Sequence, residues 1–217
     1  MKIPMSVDTS PSSSRATVFV VDDDASVRAS VQDLLESVGL HVYGFATTAD
    51  FVLHLQTQPP VGPACLVLDI RMPGQSGLDF QKSMAQLGVH LPVIFVTGHG
   101  DVPMSVQAMK HGALEFLMKP FREQDLLDAI QKAINIDQAH RVQVSEHQAL
   151  QSQWQQLTQG EQAVVRGVVA GQLNKQIAAD LGVSEVTVKV RRGQAMRKLQ
   201  LRSVADLVRW LDRLDAS

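Results

Sequence analysis

CLVLDIRMPGQSG, residues 65–77, carries an apolar run from Cys65 to Leu68 straight into one carboxylate, Asp69, where the chain turns. A short apolar run bounded by Pro63 on one side and by Pro73 and Gly74 on the other reads as a buried strand of the parallel type. In open α/β sheets, ligands and chemistry gather beyond the carboxyl ends of such strands. Asp69 is therefore a site candidate rather than a stray core residue.

The same pattern repeats on either side. Upstream, residues 18–21 form an apolar strand that ends in Asp22, Asp23 and Asp24. A helix follows, with Val27, Val31, Leu34, Leu35 and Val38 at helical spacing and Gly39 as its stop. Residues 40–45 supply a short strand, and residues 48–55 a helix closed by Pro59 and Pro60. Downstream, a helix is expected over residues 77–87. Residues 92–97 (PVIFVT) make a strand ending in Thr97, then Gly98, His99 and Gly100. Residues 102–110 are helical, and residues 114–118 form a fifth strand ending in Lys119-Pro120. Five strands alternating with helices predict an α/β fold, a doubly wound five-stranded parallel sheet with helices on both faces.

From Phe121 to Gln159 there is neither Gly nor Pro, so helix can run well past its last sheet-packing turn at residues 126–134. Residues 138–159 are Gln-rich and weakly apolar, and read as a partly helical linker. Beyond Gly160 the spacing is purely helical, over residues 161–170, 174–181, 184–199 and 203–214. Gly171 and Gly182 fall at the turns, and Ser184 and Ser203 suit N-caps. NKQIA from Asn174, followed by LGVS from Leu181, has the look of a helix-turn-helix. The expected division is a disordered tail (1–16), an α/β domain (17–134), a helical linker (135–156) and an all-α four-helix domain (157–217).

Charge separates the two halves of the 217 residues. Residues 1–152 hold 10 Lys and Arg against 16 Asp and Glu, whereas residues 153–217 hold 10 against 6. An acidic body with a basic appendix points the appendix at nucleic acid or another anion. The single cysteine, Cys65, excludes an internal disulfide and reads as a small core residue. No stretch approaches about 18 uninterrupted apolar residues, so no membrane span is expected. The Ser/Pro-rich start lacks an apolar signal core and is expected to be disordered. A soluble, cytoplasmic protein is the expectation.

In a parallel sheet the strand ends converge. Asp22 and Asp23 come from the first strand, Asp69 from the third, Thr97 from the fourth and Lys119 from the fifth. Crowded carboxylates repel and raise each other's pKa. A divalent cation with hard oxygen ligands, Mg²⁺, resolves the repulsion. Lys119 then serves as a point charge for an arriving phosphoryl group, with Asp69 as its nucleophilic acceptor. The seven histidines show no ligand spacing, and His99 reads as a loop residue.

VFVVDDD, LVLDIRMPGQSG, VIFVTGHGDVPM and EFLMKPF resemble the receiver domain of bacterial response regulators, a CheY-like fold, of the FixJ-like type. The resemblance spans residues 17–133. It implies Asp69 as phosphoacceptor, Asp22 and Asp23 with Asp69 as metal ligands, and the Arg71 carbonyl as a further one. It also implies Thr97 and Phe116 as a switch pair, Lys119 as phosphate partner, and a cis Lys119-Pro120 bond. Phe116 stands where tyrosine is an alternative, so its ring can reorient without a hydroxyl hydrogen bond.

In the basic half, a helical wheel over residues 184–199 puts Val188, Ala195 and Leu199 on a packing side with Arg191 at its edge. The opposite side shows Val186, Lys189, Val190, Gly193 and Arg197. Valines beside lysine suit a helix laid in a major groove, where they meet thymine methyls while lysine meets guanine. Arg191, Arg192 and Lys198 flank that face and are expected at phosphates. Residues 157–214 resemble the LuxR/NarL-type helix-turn-helix domain. Gly160 replaces a basic residue usual there, Arg191 a common histidine, and Gly193, a poor helix former costing about 0.5–1 kcal/mol against alanine, truncates the reading face.

The two resemblances imply a phosphorylation-controlled transcription factor. Its expected partners are a sensor histidine kinase, double-stranded promoter DNA, RNA polymerase and, on phosphorylation, a second copy of itself. Rival readings are an aspartyl-phosphate hydrolase, a constitutive DNA-binding protein and a protein-interaction module. Asp69-Ile70-Arg71 lacks the second aspartate, two residues on, that such hydrolases use.

Overall fold

A computed structural model of the chain describes residues 15–98 and 100–216. Residues 1–14 of the tail expected over 1–16, and the reading of His99, lie outside them. The elements in order are β1 (Thr17–Val21), α1 (Ala25–Ser37), β2 (His41–Phe45), α2 (Thr48–Thr57), β3 (Ala64–Leu68), α3 (Gly77–Ser83) and β4 (Val93–Thr97). They continue with α4 (Val102–Lys110), β5 (Glu115–Met118), α5 (Glu123–Gln155), α6 (Gln159–Val169), α7 (Asn174–Leu181), α8 (Glu185–Lys198) and α9 (Val204–Asp215).

The sheet order is β2-β1-β3-β4-β5, and every pairing is parallel. The three central strands β1, β3 and β4 are buried throughout, which is why they read as unbroken apolar runs. Alternate residues serve two cores. Phe19, Val21, Leu66, Leu68, Val93 and Phe95 pack with Phe51 of α2, Leu78 and Phe80 of α3 and Ala108 of α4. Val18, Val20, Cys65, Val67, Ile94 and Val96 pack with Val31 and Leu35 of α1 and with Leu126, Ala129, Ile130 and Ala133 of α5. Side chains of a strand point to opposite faces in turn, so one apolar run feeds both layers. Burial pushes the Cys65 thiol up to about 12, as befits an inert core residue.

One expectation needs correction. The helix foreseen over residues 77–87 ends at Ser83. The Leu87 N–H donates to the Ser83 and Met84 carbonyls, Gly88 turns through a left-handed φ of 70°, and Val89 donates back to Met84. This tighter path buries both Met84 and Val89, which a straight helix would splay apart. The stretch free of Gly and Pro continues as helix, as expected, since α5 runs to Gln155.

The chain divides into two compact units, Met1–Arg141 and Val142–Ser217. In the first, Asp137 is buried and accepts hydrogen bonds from the Ala64 N–H (2.8 Å) and Arg141 Nε (2.6 Å). Arg141 also donates to the Pro60 carbonyl. In the second, Leu150, Leu157, Val164, Val165, Ile177, Val188, Ala195, Leu199, Leu207, Trp210 and Leu211 form a core. The end of α5 belongs to it: Trp154 lies 6.1 Å from Trp210, and Arg166 sits over its ring. No helix among the described residues is long and apolar enough to cross a membrane.

Candidate functional site

The carboxyl end of the sheet gathers the acidic residues. Asp22 continues β1 and is 4% exposed; Asp69 continues β3 and is 8% exposed. Their backbones are tied to the neighbouring strands, Asp22 N–H to the Phe45 carbonyl and Asp69 N–H to the Val21 carbonyl. The Lys119 ammonium donates to Asp22 Oδ2 (2.5 Å) and to Asp69 Oδ2 (2.9 Å), drawing the ends of three strands together. Asp22 Oδ1 accepts from the Asp24 N–H, and Asp69 Oδ1 from the Arg71 N–H. The Lys119-Pro120 bond is cis, and the Lys119 N–H donates to the Thr97 carbonyl. Thr97 itself is buried.

The electrostatics follow from this geometry. Burial pushes the Asp22 carboxyl above its ordinary range, and the Lys119 and Asp24 hydrogen bonds offset that only in part. Burial works to lower Lys119, but its bonds to Asp22 and Asp69 more than compensate and hold it above the usual lysine value. Asp22, Asp23 and Asp69 offer carboxylate oxygens within 4.8 Å of one another, with Asp23 exposed toward solvent. Three hard oxygen donors with an open side fit Mg²⁺, and the arrangement holds no soft ligand that would prefer another metal.

Gly77 holds the adjoining wall. A Cβ at that position would sit 2.2 Å from the Asp69 carbonyl oxygen and 3.1 Å from the Ile70 Cα, so only glycine lets α3 begin there. Across the pocket the half-buried Phe116 ring lies against Gly100, where a Cβ would come within 2.8 Å of it. The structure thus brings together Asp22, Asp23, Asp69 and Lys119, with Arg71, Thr97 and Phe116 on adjoining segments.

The second site is on α8. Ser184 caps it by accepting from the Thr187 N–H, and Gly182, at φ 63°, turns the chain out of α7. Val188, Ala195 and Leu199 are buried, while Val186 (68% exposed) and Val190 (52%) stand in solvent beside exposed Lys189, Gly193 and Arg197. Arg192 is half-buried. Two of the residues expected at phosphates also make contacts within the unit. Lys198 donates to Glu161 Oε2 (2.6 Å) and to the Gln156 carbonyl. The half-buried Arg191 folds back over Gly160, where an added Cβ would lie 2.8 Å from its Cζ.

Glu161 was not singled out by sequence reasoning, yet it is the most buried carboxylate of the second unit at 2% exposed. It closes a capping box, accepting from the Thr158 N–H while Thr158 Oγ1 accepts from the Glu161 N–H. The Thr-x-x-Glu spacing was the available signal. Burial tends to raise the Glu161 carboxyl, but the hydrogen bonds from Lys198 and Thr158 prevail and hold it below the usual range. Asp137, also unforeseen, has no such local signature.

Comparison with known proteins identifies both units of the chain. The model of the response regulator receiver domain matches residues 18–131, and that of the bacterial regulatory proteins of the luxR family matches residues 155–211. Nodulation protein W of Bradyrhizobium diazoefficiens is 48% identical over 94% of this chain and 89% of its own length. The response regulator protein TodT of Pseudomonas putida is 41% identical over 100% and 94%. Among solved structures, the response regulator StyR superimposes with a TM-score of 0.78 at 46% identity, covering 92% of this chain and 99% of its own. Full-length FixJ from B. japonicum gives 0.54 at 36% identity, covering 93% and 98%. The chain belongs to the response regulators, uniting a receiver domain with a luxR-family DNA-binding domain, and is a transcriptional regulator rather than an enzyme.

Proposed function

We propose that Asp69 accepts a phosphoryl group from the phosphohistidine of a sensor histidine kinase. A carboxylate oxygen of Asp69 attacks phosphorus, the P–N bond breaks, and the released imidazole nitrogen takes up a proton. Asp22, Asp23, Asp69 and the Arg71 carbonyl would hold Mg²⁺, which when bound neutralises charge on the transferred oxygens. Lys119 lies within reach of the same oxygens, since its ammonium already touches Asp69. That Lys119 contact, spanning Asp22 and Asp69 at once, is the observation that carries the reading.

The added charge draws Lys119 and Thr97 toward the phosphoryl group and frees Phe116 to turn inward. The face formed by α4, β5 and α5 then shifts, biasing the chain toward dimers whose two α8 helices engage two half-sites of promoter DNA. Val186, Lys189, Val190, Gly193 and Arg197 face the bases, and Arg191 and Arg192 the backbone. Lys198 is left out of that set because Glu161 engages it. Contact with RNA polymerase and action in the cytoplasm follow from this role.

The test is DNA affinity at fixed salt for wild type and Asp69→Asn, with and without Mg²⁺ and a small phosphodonor, on DNA upstream of the protein's own operon. Tightening by wild type alone is the expected result. Equal binding by both proteins under all conditions would make the receiver a scaffold and overturn the mechanism.

A further inference from the structure

Four described glycines lie within helices: Gly77 in α3, Gly160 and Gly167 in α6, and Gly193 in α8. Three have a neighbour in the way of a Cβ, a movable one at Gly160. At Gly77 a Cβ would strike the Asp69 carbonyl, at Gly160 the Arg191 guanidinium, and at Gly167 Ile177 Cγ1 and Gln172 Oε1 at 2.8 and 2.7 Å. Gly193 differs. A Cβ there would meet nothing within 4 Å, and its φ is not in the left-handed region. Neither packing nor backbone geometry asks for glycine at this position, although glycine is among the poorest helix formers. The fold itself supplies no reason for it.

The surroundings say what kind of partner supplies it. Val186, Val190, Gly193 and Arg197 follow one another at helical spacing along a single exposed stripe of α8. Two exposed valines precede the gap and a guanidinium follows it, with the Lys189 ammonium on the next row. The result is a methyl-sized notch with an apolar rim on one side, set among cations. Cations draw the notch toward the DNA backbone, and valine methyls favour an apolar group on a base edge. The one apolar group that a base edge presents in the major groove is the thymine C5-methyl.

We propose that Gly193 is a specificity-determining residue whose missing side chain lets the α8 backbone close on a thymine methyl, between Val190 and Arg197. This rests on the DNA-reading role given to α8 above. Any side chain at 193 would hold the helix off the base and loosen the preference for thymine.

The experiment uses the full chain with phosphodonor and Mg²⁺. Wild type first selects its preferred duplex from a randomised double-stranded pool, and wild type and Gly193→Ala are then titrated on that duplex. The thymines are next replaced one at a time by uracil, which removes only the methyl. Gly193→Ala is expected to bind the selected duplex about tenfold more weakly while keeping wild-type affinity for random-sequence DNA. At one position per half-site, uracil should weaken wild type several-fold and leave Gly193→Ala unaffected. Unfolding in urea, followed by Trp154 and Trp210 fluorescence, should show the variant at least as stable as wild type, since alanine favours helix. Undiminished binding by Gly193→Ala, an equal uracil effect in both proteins, or a destabilised variant would each overturn the proposal. If wild type selects no sequence at all, the DNA-reading role fails as well, which sets that outcome apart from the others.

Discussion

Replacing Lys198 with alanine separates a structural lysine from a phosphate-binding one. Glu161 is buried, its side chain 3% exposed, whereas Lys198 is 38% exposed. Without the ammonium, the carboxylate keeps Thr158 alone among the partners that lower it, its N–H at 2.7 Å. Breaking a fully buried pair costs about 3–5 kcal/mol, and the solvent around Lys198 discounts that figure. The expected loss is about 2 kcal/mol, near the penalty for one underpaired buried polar group. Both tryptophans of the chain, Trp154 and Trp210, pack in the second unit, so their fluorescence during urea unfolding reports that unit. At an m-value of about 1 kcal/mol/M, the midpoint should fall by about 2 M.

The pH dependence supplies a second reading of the same pair. The folded-state Glu161 carboxyl lies below its ordinary 4.5, so its stabilisation is fully present above that value. It is lost as pH falls through the folded-state pKa. Lys198→Ala removes a main cause of the lowering, so the stability gap between wild type and variant should narrow on acidification. Lys189→Ala, on the exposed face, serves as the contrast and should weaken DNA binding without moving the midpoint. A Lys198→Ala protein that unfolds with wild type yet binds DNA like Lys189→Ala would refute the reasoning and return Lys198 to the phosphate contacts.

Gly77→Ala forces a Cβ against two backbone groups that cannot rotate away. A loss of about 3 kcal/mol from the receiver unit should appear in urea unfolding by circular dichroism, with slower phosphorylation of Asp69 by a small phosphodonor. Asp137→Ala strips the Ala64 N–H and Arg141 Nε of their acceptor. It should cost about 2 kcal/mol, and hydrogen exchange at the Ala64 amide should quicken. Arg192→Ala should reduce the slope of log affinity against log salt by about one. Val190→Ala should leave that slope alone and relax base preference.

Much of this molecule is legible in local sequence. Residues 65–68 and 18–21 announce central strands because both of their faces are buried, and Asp69 and Asp22 announce a site because charge follows apolar runs at strand ends. The four helices of the second unit, with Gly182 and Ser184 at the turn, follow from spacing and capping alone. Lys119 was legible only in combination, as the cation ending a fifth strand in an otherwise acidic pocket.

What sequence could not decide is which polar groups meet across elements. Lys198 sits on α8 among cations that face solvent, and spacing assigns it to DNA. Only the packing of α8 against α6 brings it to Glu161, 37 residues away. Asp137 looks like any helix-surface aspartate until α5 lies under the start of β3, 73 residues upstream. Gly77 reads as a helix start, and its need to be glycine arises only where α3 meets the Asp69 carbonyl. Periodicity records which face of an element is buried, since that depends on neighbours a few residues apart. The pairing of buried charges and the room for one Cβ depend on distances of a few ångströms between distant segments, and those exist only once the layers have packed.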